Sequence, residues 1–273
     1  MARRFNVLPG FGLSMGITLF YLGIVVMLPL SALAIKVSGL SWTEFWSFAT
    51  KDRALAAYRL TFGASLVAAL VNAVFGSILA WVLVRYQFWG KRMIDAMIDI
   101  PFALPTAVAG LTLANLYVPQ GWLGRFLVPR GIEAAYSQLG VVIALIFVSL
   151  PFVVRTVQPV LEGLDREVEE AAATLGAGRF RTLVQIVFPT LLPAVLTGFA
   201  MSFARAIGEY GSVIFISGNL QGRTEIAPFV IVTYLEEFNY GAAISLSVVL
   251  LIVSFALLGL INLLERWSVR FQS

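Results

Sequence analysis

Two residues of opposite charge, Arg205 and Glu209, interrupt an apolar stretch that runs from Leu191 to Ile216. Their spacing of four predicts that they share one face of a helix. An ionisable group within so apolar a segment is costly, and it usually faces a partner or a water-filled cavity. The planar guanidinium group suits an oxyanion, whereas the carboxylate would repel one. Two interpretations stay open: a self-neutralising structural pair, or an anion path where Glu209 restrains Arg205 in one state and releases it in another.

A second charged pair, Asp95 and Asp99, has the same spacing and lies at the start of another apolar stretch. Lys91 and Arg92 are its nearest basic neighbours along the chain. Charged side chains near the ends of membrane helices commonly reach the interface. We therefore expect ion pairs between these aspartates and the two basic residues.

The sequence lacks the residues that common catalytic and metal sites need. It has no histidine and no cysteine, which excludes imidazole and thiolate catalysis and the metal sites built from those ligands. It also has no G-x-x-x-x-G-K-[ST] phosphate loop. We expect no catalytic residue, no metal site and no bound cofactor in this chain.

The composition indicates which elements must position these charges. Of the 273 residues, 59% are apolar and 12% are charged, and the mean hydropathy is +0.89. So few polar groups cannot cover a water-exposed surface. The sequence predicts an all-α, polytopic membrane protein with a single domain over residues 1–273, embedded in a lipid bilayer. The net charge of +4 is dispersed, without the basic tracts typical of nucleic-acid binding.

Six apolar runs are candidates for transmembrane helices, each of which needs about 20 residues. The runs are Leu13–Ile35, Tyr58–Val84, about Met93–Tyr117, Leu139–Val154, about Leu191–Ile216 and Ala242–Leu264. The first is longer than the core of a signal peptide, so we expect a retained span. Eleven lysines and arginines flank one side of the runs and seven flank the other. This excess, which includes Arg3 and Arg4, predicts that both termini are cytoplasmic.

Prolines interrupt several of these runs. Each proline within a helix removes an i→i−4 hydrogen bond and kinks the helix. In a bilayer, the freed backbone groups need neighbouring helices or an aqueous cavity. We expect Pro101 and Pro105 to form a bend that lines a path, and we expect no special role for Pro29 and Pro151.

The stretch of residues 158–189, between the fourth and fifth runs, has the pattern of a cytoplasmic docking element. Apolar residues recur there at steps of three and four, and acidic residues fill many of the remaining positions. Pro159 suits the first turn of a helix, and Gly176 suits the left-handed position that ends one. A second short helix is predicted from Arg179 to Phe188, just before a further proline.

Within this stretch, a spaced set of residues resembles the EAA signature of ABC-transporter permeases. The set comprises Glu170, Ala171, Ala172, Gly176, Ile186 and Pro189. Phe188 stands where the usual pattern has leucine, which is an exchange of one apolar residue for another. The resemblance implies that residues 158–189, called the coupling loop below, form a coupling helix seated in a cleft of a cytoplasmic ATPase subunit.

The resemblance extends over most of the chain and narrows to the sulfate/molybdate branch of these permeases. Segments similar to sulfate permease subunits are Val7–Phe11, Asp99–Leu113, Pro151–Val160 and Ser202–Gly211. The resemblance implies an importer of sulfate and thiosulfate in a bacterial inner membrane. It also implies several partners: a second permease subunit, two ATPase subunits that bind ATP and Mg²⁺, and a periplasmic sulfate-binding protein.

Three alternatives remain at this point. The first alternative is a molybdate or tungstate permease, because forms of the segment Ser202–Gly211 also occur in molybdate permeases. An ion-gradient-driven anion transporter is another, with Arg205 binding the anion and Glu209 carrying protons, although such a transporter needs no ATPase-docking element. An intramembrane enzyme is the third, and the missing catalytic constellation argues against it.

Overall fold

The computed structural model describes the backbone of residues 10–270, and their side chains except at positions 166, 168, 169, 173, 179 and 264–270. Every regular element in this part of the chain is helical, as predicted. In chain order the helices are α1 (Phe11–Ser38), α2 (Trp42–Ala49), α3 (Asp52–Arg85), α4 (Lys91–Ile98), α5 (Ile100–Ala103), α6 (Thr106–Tyr117), α7 (Gly124–Leu127), α8 (Gln138–Glu162), α9 (Arg166–Thr174), α10 (Phe180–Ile207), α11 (Val213–Ile216), α12 (Ala227–Glu236) and α13 (Tyr240–Arg270).

Five helices in the described residues are long and apolar enough to cross a membrane: α1, α3, α8, α10 and α13. The predicted third span, from about Met93 to Tyr117, is instead broken into α4, α5 and α6. The expected bend is confirmed at Pro105, because Leu104 and Pro105 have extended backbone between α5 and α6, whereas Pro101 lies in the first turn of α5. That this bend lines a path stays a prediction. The six-span count and the cytoplasmic termini stay predictions, and Arg3 and Arg4 lie outside the described residues.

The centre of the bundle is formed by α3, α8 and α10, which small residues bring close together. A Cβ atom added at Gly76 or at Gly198 would lie 3.0 Å from atoms of Val153 on α8. Inside a bilayer, such close packing replaces the hydrophobic effect as the force between helices. Two apolar clusters follow α8, one around Val141 on the side away from the coupling loop and one around Leu161 on the loop side.

The coupling loop differs from its prediction at both prolines. Pro159 lies inside α8, which continues to Glu162, rather than in the first turn of a new helix. Pro189 does not end a short helix either, because α10 runs through it as one continuous element. A π-helical turn at Leu183–Val187 precedes the proline, so Pro189 occupies the beginning of a new α-helical segment, where its missing N–H is tolerated.

Candidate functional site

The charged pair predicted within the membrane is formed. Arg205 lies in the last turn of α10, and Glu209 lies just beyond the helix end at Gly208. Arg205 Nη1 is 2.7 Å from Glu209 Oε2, and the side chain of Glu209 is 2% exposed while that of Arg205 is 31% exposed. The two residues therefore contact each other directly, although the predicted common helix ends between them.

The second oxygen of the Glu209 carboxylate is bound by Ser212. Glu209 Oε1 accepts hydrogen bonds from the backbone N–H of Ser212 at 2.7 Å and from its hydroxyl at 2.8 Å. Hydrogen bonds to a charged carboxylate offset the cost of removing it from water. Glu209 is thus fixed by its own turn, residues 208–212, which we call the Glu209 turn. The partly exposed guanidinium of Arg205 is the group of the pair that can meet a ligand.

Two glycines bring the Glu209 turn against the start of α6. A Cβ atom at Gly110 would overlap the backbone of Ser212, and one at Gly211 would overlap the hydroxyl of Thr106. Because Thr106 directly follows Pro105, the turn lies beside the break in the third span. The structure therefore brings Pro105 close to the Glu209 turn, whereas Pro101 lies on α5, on the other side of the break.

The coupling loop has buried and exposed residues close together around Gly176. Ala172 is buried, and Gly176 has a φ of +82°, which confirms the predicted left-handed turn. The N–H of Ala177 reaches back to the carbonyl of Ala172 at 2.9 Å, which closes the end of α9 in the manner of a helix C-cap. On either side of this turn, Leu175 is 89% exposed and Phe180 is 78% exposed. The loop therefore presents apolar side chains to its surroundings, and Leu175 and Phe180 are the most exposed of those described.

The other signature residues differ from one another in exposure. Glu170 and Ala171 are exposed on α9, and Ile186 and Pro189 are half-buried at the start of α10. Glu170 also lines an apolar groove of about 1120 Å³ between α3 and α10, together with Phe180. Glu170 and Ala171 are thus the exposed residues of the signature on α9, whereas Ala172 is buried and Ile186 and Pro189 are half-buried.

Sequence reasoning assigned the wrong partners to Asp95 and Asp99. Both carboxylates bind Arg155 on α8, at 2.7 Å and 2.6 Å respectively, rather than forming the predicted ion pairs with Lys91 and Arg92. The expectation used only neighbours along the chain, and Arg155 is more than fifty residues away. The binding of both carboxylates by one distant guanidinium group is a tertiary contact. The spacing of residues along the chain does not reveal such a contact.

The ion pair between Arg53 and Glu225 was not predicted from the sequence. Arg53, at the start of α3, donates from Nε and Nη2 to both oxygens of Glu225, at 2.9 Å and 2.7 Å. The side chain of Glu225 is 3% exposed. This two-pronged contact joins α3 to the segment before α12, on the side away from the coupling loop. Among the residues whose side chains are described, no group of three or more carboxylates could hold a metal ion.

Residues 72–270 match a family model described as "Binding-protein-dependent transport system inner membrane component". The match covers more than half of the chain. The chain belongs to this family. It is a multi-pass membrane protein and a permease subunit of an ABC importer.

Curated relatives of this permease match along almost its whole length. It is 49% identical over 271 residues to the "Sulfate transport system permease protein CysT" of Synechocystis, a match that covers 99% of this chain and 95% of the relative. Proteins of the same name from Salmonella typhimurium and Escherichia coli are 49% and 48% identical over 260 residues, with 95% of this chain and 94% of each relative covered.

Solved structures share the fold of this permease at low sequence identity. A chain of a bacterial ABC transporter involved in the import of the acidic polysaccharide alginate gives a TM-score of 0.78 at 13% identity, with 94% of this chain and 96% of that chain covered. The same type of transporter in complex with an alginate-bound periplasmic protein gives 0.77 at 14% identity, with 93% and 92% covered. These likenesses establish the ABC-permease fold.

Proposed function

We propose that this permease forms the translocation path for sulfate, and also for thiosulfate, in an ABC importer driven by ATP hydrolysis in a partner subunit. The observation that carries the choice of anion is the 49% identity to a sulfate permease over 99% of the chain. A guanidinium group at the membrane site suits the chemistry, because its fork of donors matches the oxygens of a tetrahedral oxyanion.

The coupling loop is the proposed contact with the ATPase subunit. Its support is the exposure of Leu175 and Phe180 around the turn at Gly176. Apolar side chains that protrude from a short helix can seat in a groove of a partner. The acidic Glu170 adds a charge that a basic groove would recognise. In this proposal the coupling loop lies on the cytoplasmic side, and ATP and Mg²⁺ are bound by the ATPase alone.

The complete transporter contains further subunits in this proposal. Each permease chain has one coupling loop, which can bind one ATPase subunit. Two ATPase subunits therefore need two permease chains, this one and a homologous partner. A periplasmic sulfate-binding protein delivers the anion on the other side of the membrane. If this chain alone, without a second permease chain, supported sulfate uptake, the paired arrangement would be refuted.

The Arg205–Glu209 pair is the proposed anion contact within the path. Its support is the unequal exposure of the two side chains, since Glu209 is enclosed and Arg205 is partly exposed. Pro105 lies beside this site through Thr106 and the Glu209 turn, and Pro101 lies on the far side of the break. A conformational change that bends the third span at the two prolines would therefore alter access to Arg205.

Competition between anions tests the proposed substrate. Complexes purified with the ATPase and reconstituted into vesicles are supplied with labelled sulfate and with excess unlabelled sulfate, thiosulfate or molybdate. We expect sulfate and thiosulfate to suppress the uptake of label, and molybdate to leave most of it. Suppression by molybdate at lower concentration than by sulfate would identify a molybdate permease instead.

A further inference from the structure

Arg155 binds the loop-side half of the broken third span with four of its five N–H donors. Its Nε and Nη2 donate to the two oxygens of Asp99 at 2.9 Å and 2.6 Å, and Nη1 donates to Asp95 Oδ1 at 2.7 Å. The remaining two N–H groups go to the backbone carbonyl of Asp95 at 3.0 Å and to Gln158 Oε1 at 2.7 Å. A guanidinium has five N–H donors, and here each has an acceptor.

Apolar contacts hold the same segment on the same helix. Ile98 is buried in the loop-side cluster with Val157 and Leu161 of α8. The ring of Phe102, on α5, meets the ring of Phe152 edge to face, with centroids 5.3 Å apart. Residues 91–103, which we call the loop-side segment, are thus attached to α8 by a polar clamp and two apolar contacts.

Helix α8 leads directly into the coupling loop. Arg155 lies two turns before the end of α8 at Glu162, and α9 begins four residues after that end. The carbonyl of Leu164, in the connection between α8 and α9, accepts a hydrogen bond from Arg85 of α3 at 3.3 Å. A displacement of α9 therefore reaches α8 through a short connection. The Arg155 clamp lies two helical turns along α8 from that connection.

The other half of the third span packs against α11 and against the far-side half of α8. Helix α6 packs against α11 and the far-side cluster through Ala114, and Gly110 lies against the backbone of Ser212. Helical hydrogen bonding stops between the two halves. The last such bond of α5 runs from Leu104 N to Ile100 O, and the first of α6 runs from Ala109 N to Pro105 O. Residues 104 and 105 therefore join two segments that are anchored at opposite ends of α8.

We propose that Arg155 is a positioning residue that makes the loop-side segment move together with the loop-side end of α8 and with the coupling loop, while residues 104–105 act as the hinge to α6. This inference rests on the proposed function in one respect, namely that an ATPase moves the coupling loop. The clamp resists separation because Asp95 and Asp99, four residues apart, would repel each other once Arg155 left. A movement of the loop therefore bends the third span next to Arg205 instead of pulling α4 away from α8.

The ion pair of Arg53 with Glu225 provides a matched control. It is also a two-pronged guanidinium–carboxylate contact between distant segments. However, it ties α3 to the segment before α12, and it contacts neither the loop-side segment nor the coupling loop. Loss of this pair should affect stability alone, whereas loss of the Arg155 clamp should also affect the coupling between ATP hydrolysis and transport.

Spin labels can measure the movement directly, because the natural chain has no cysteine. Met93→Cys with Glu167→Cys reports the distance between the loop-side segment and α9, and both positions are exposed. Met93→Cys with Leu111→Cys reports the distance across the hinge, and Leu111 is also exposed. The labelled permease is studied in its assembled complex, without nucleotide and with a non-hydrolysable ATP analogue.

In the parent complex, we expect the analogue to change the 93–111 distance and to leave the 93–167 distance unchanged. In Arg155→Gln, the 93–167 distribution should broaden, and the ATP hydrolysed per sulfate transported should rise about tenfold, the scale of one lost charge-assisted hydrogen bond. Arg155→Lys, which keeps the charge but lacks the fork, should lie between the two. Arg53→Gln should leave both the distances and the ratio at parent values.

Unchanged 93–167 distances and an unchanged ATP-to-sulfate ratio in Arg155→Gln would overturn the proposal. If that variant does not assemble, the same result in Arg155→Lys would overturn it. Failure of the proposed function itself has a different signature, since the ATPase would then not co-purify with the parent chain. In that case the clamp is still tested by the distribution of 93–167 distances in the permease without nucleotide. Broadening of this distribution in Arg155→Gln supports the clamp, and an unchanged distribution refutes it.

Discussion

Arg205 Nη1 lies 2.7 Å from Glu209 Oε2, yet the two side chains have different surroundings, with 31% of the Arg205 side chain exposed against 2% of Glu209. The hydrogen bonds from Ser212 occupy the other oxygen of the carboxylate. The pair is therefore asymmetric, with an enclosed carboxylate held in its turn and a partly exposed arginine. This asymmetry is the structural basis for assigning the anion contact to Arg205.

Replacing Arg205 tests that assignment. We expect Arg205→Gln to lower sulfate uptake about tenfold, because a charge-assisted contact to the anion is lost. The amount of ATPase that co-purifies should equal that of the parent. The measurement is the initial rate of labelled sulfate uptake, normalised to assembled complex.

The double variant Arg205→Gln with Glu209→Gln separates the two interpretations of the pair. If the charges only neutralise each other, removing both together should restore uptake, since neither is then buried alone. We expect no restoration. Uptake at the parent rate by assembled Arg205→Gln complexes would show that the pair is structural.

Glu209 should matter more for stability than its hydrogen-bond partner Ser212. We expect Glu209→Gln to destabilise the permease by about 3 kcal/mol, near the low end for breaking a buried ion pair, because Arg205 retains access to water. Ser212→Ala removes one neutral donor to the carboxylate and should cost about 1–2 kcal/mol. Thermal unfolding of the solubilised permease measures both, and the reverse order of the two variants would contradict this account.

The turn at Gly176 should be essential for association with the ATPase. Its φ of +82° is strained for any residue with a Cβ, and most of all for a β-branched one. We expect Gly176→Val to reduce the co-purified ATPase severalfold by displacing Leu175 and Phe180. Gly178→Ala is the matched control, because Gly178 has open space around its Cβ position and no positive φ. Equal association in both variants would argue against the coupling role of this turn.

Close backbone contact between α6 and the Glu209 turn yields a further prediction. In Gly110→Ala the new methyl group would overlap the backbone of Ser212, which cannot move like a flexible side chain. We expect a loss of about 2 kcal/mol or more in stability, as for overpacking, and reduced uptake. Gly63→Ala, in α3 and with nothing near its Cβ position, should lose none. Equal thermal stability of the two variants would show that the contact is looser than described.

The sequence predicted what depends on local pattern. The helical class, the break near Pro105, the left-handed Gly176 and the proximity of Arg205 to Glu209 all follow from composition or from spacings of a few residues. The errors at Pro159 and Pro189 have a common cause. A proline removes one hydrogen bond, but membrane helices continue through it where packing or a π-helical turn accommodates the ring.

Contacts between distant segments could not be predicted in this way. Arg155 reaches Asp95 and Asp99 across 60 and 56 residues, and Arg53 reaches Glu225 across 172. No local spacing encodes such pairs, because they depend on which helices become neighbours. The hydrogen bonds of Glu209 to Ser212 were within reach of sequence analysis, but only if the helix had been expected to end at Gly208.

The central claim is that ATP hydrolysis by a partner drives sulfate through this permease, and one uptake measurement tests it most directly. Vesicles containing the complete complex are loaded with ATP and supplied outside with labelled sulfate and the periplasmic binding protein. We predict accumulation of sulfate that requires internal ATP and stops when a non-hydrolysable analogue replaces it. Sulfate uptake that proceeds without ATP and follows an imposed proton gradient would contradict the account and identify a secondary transporter.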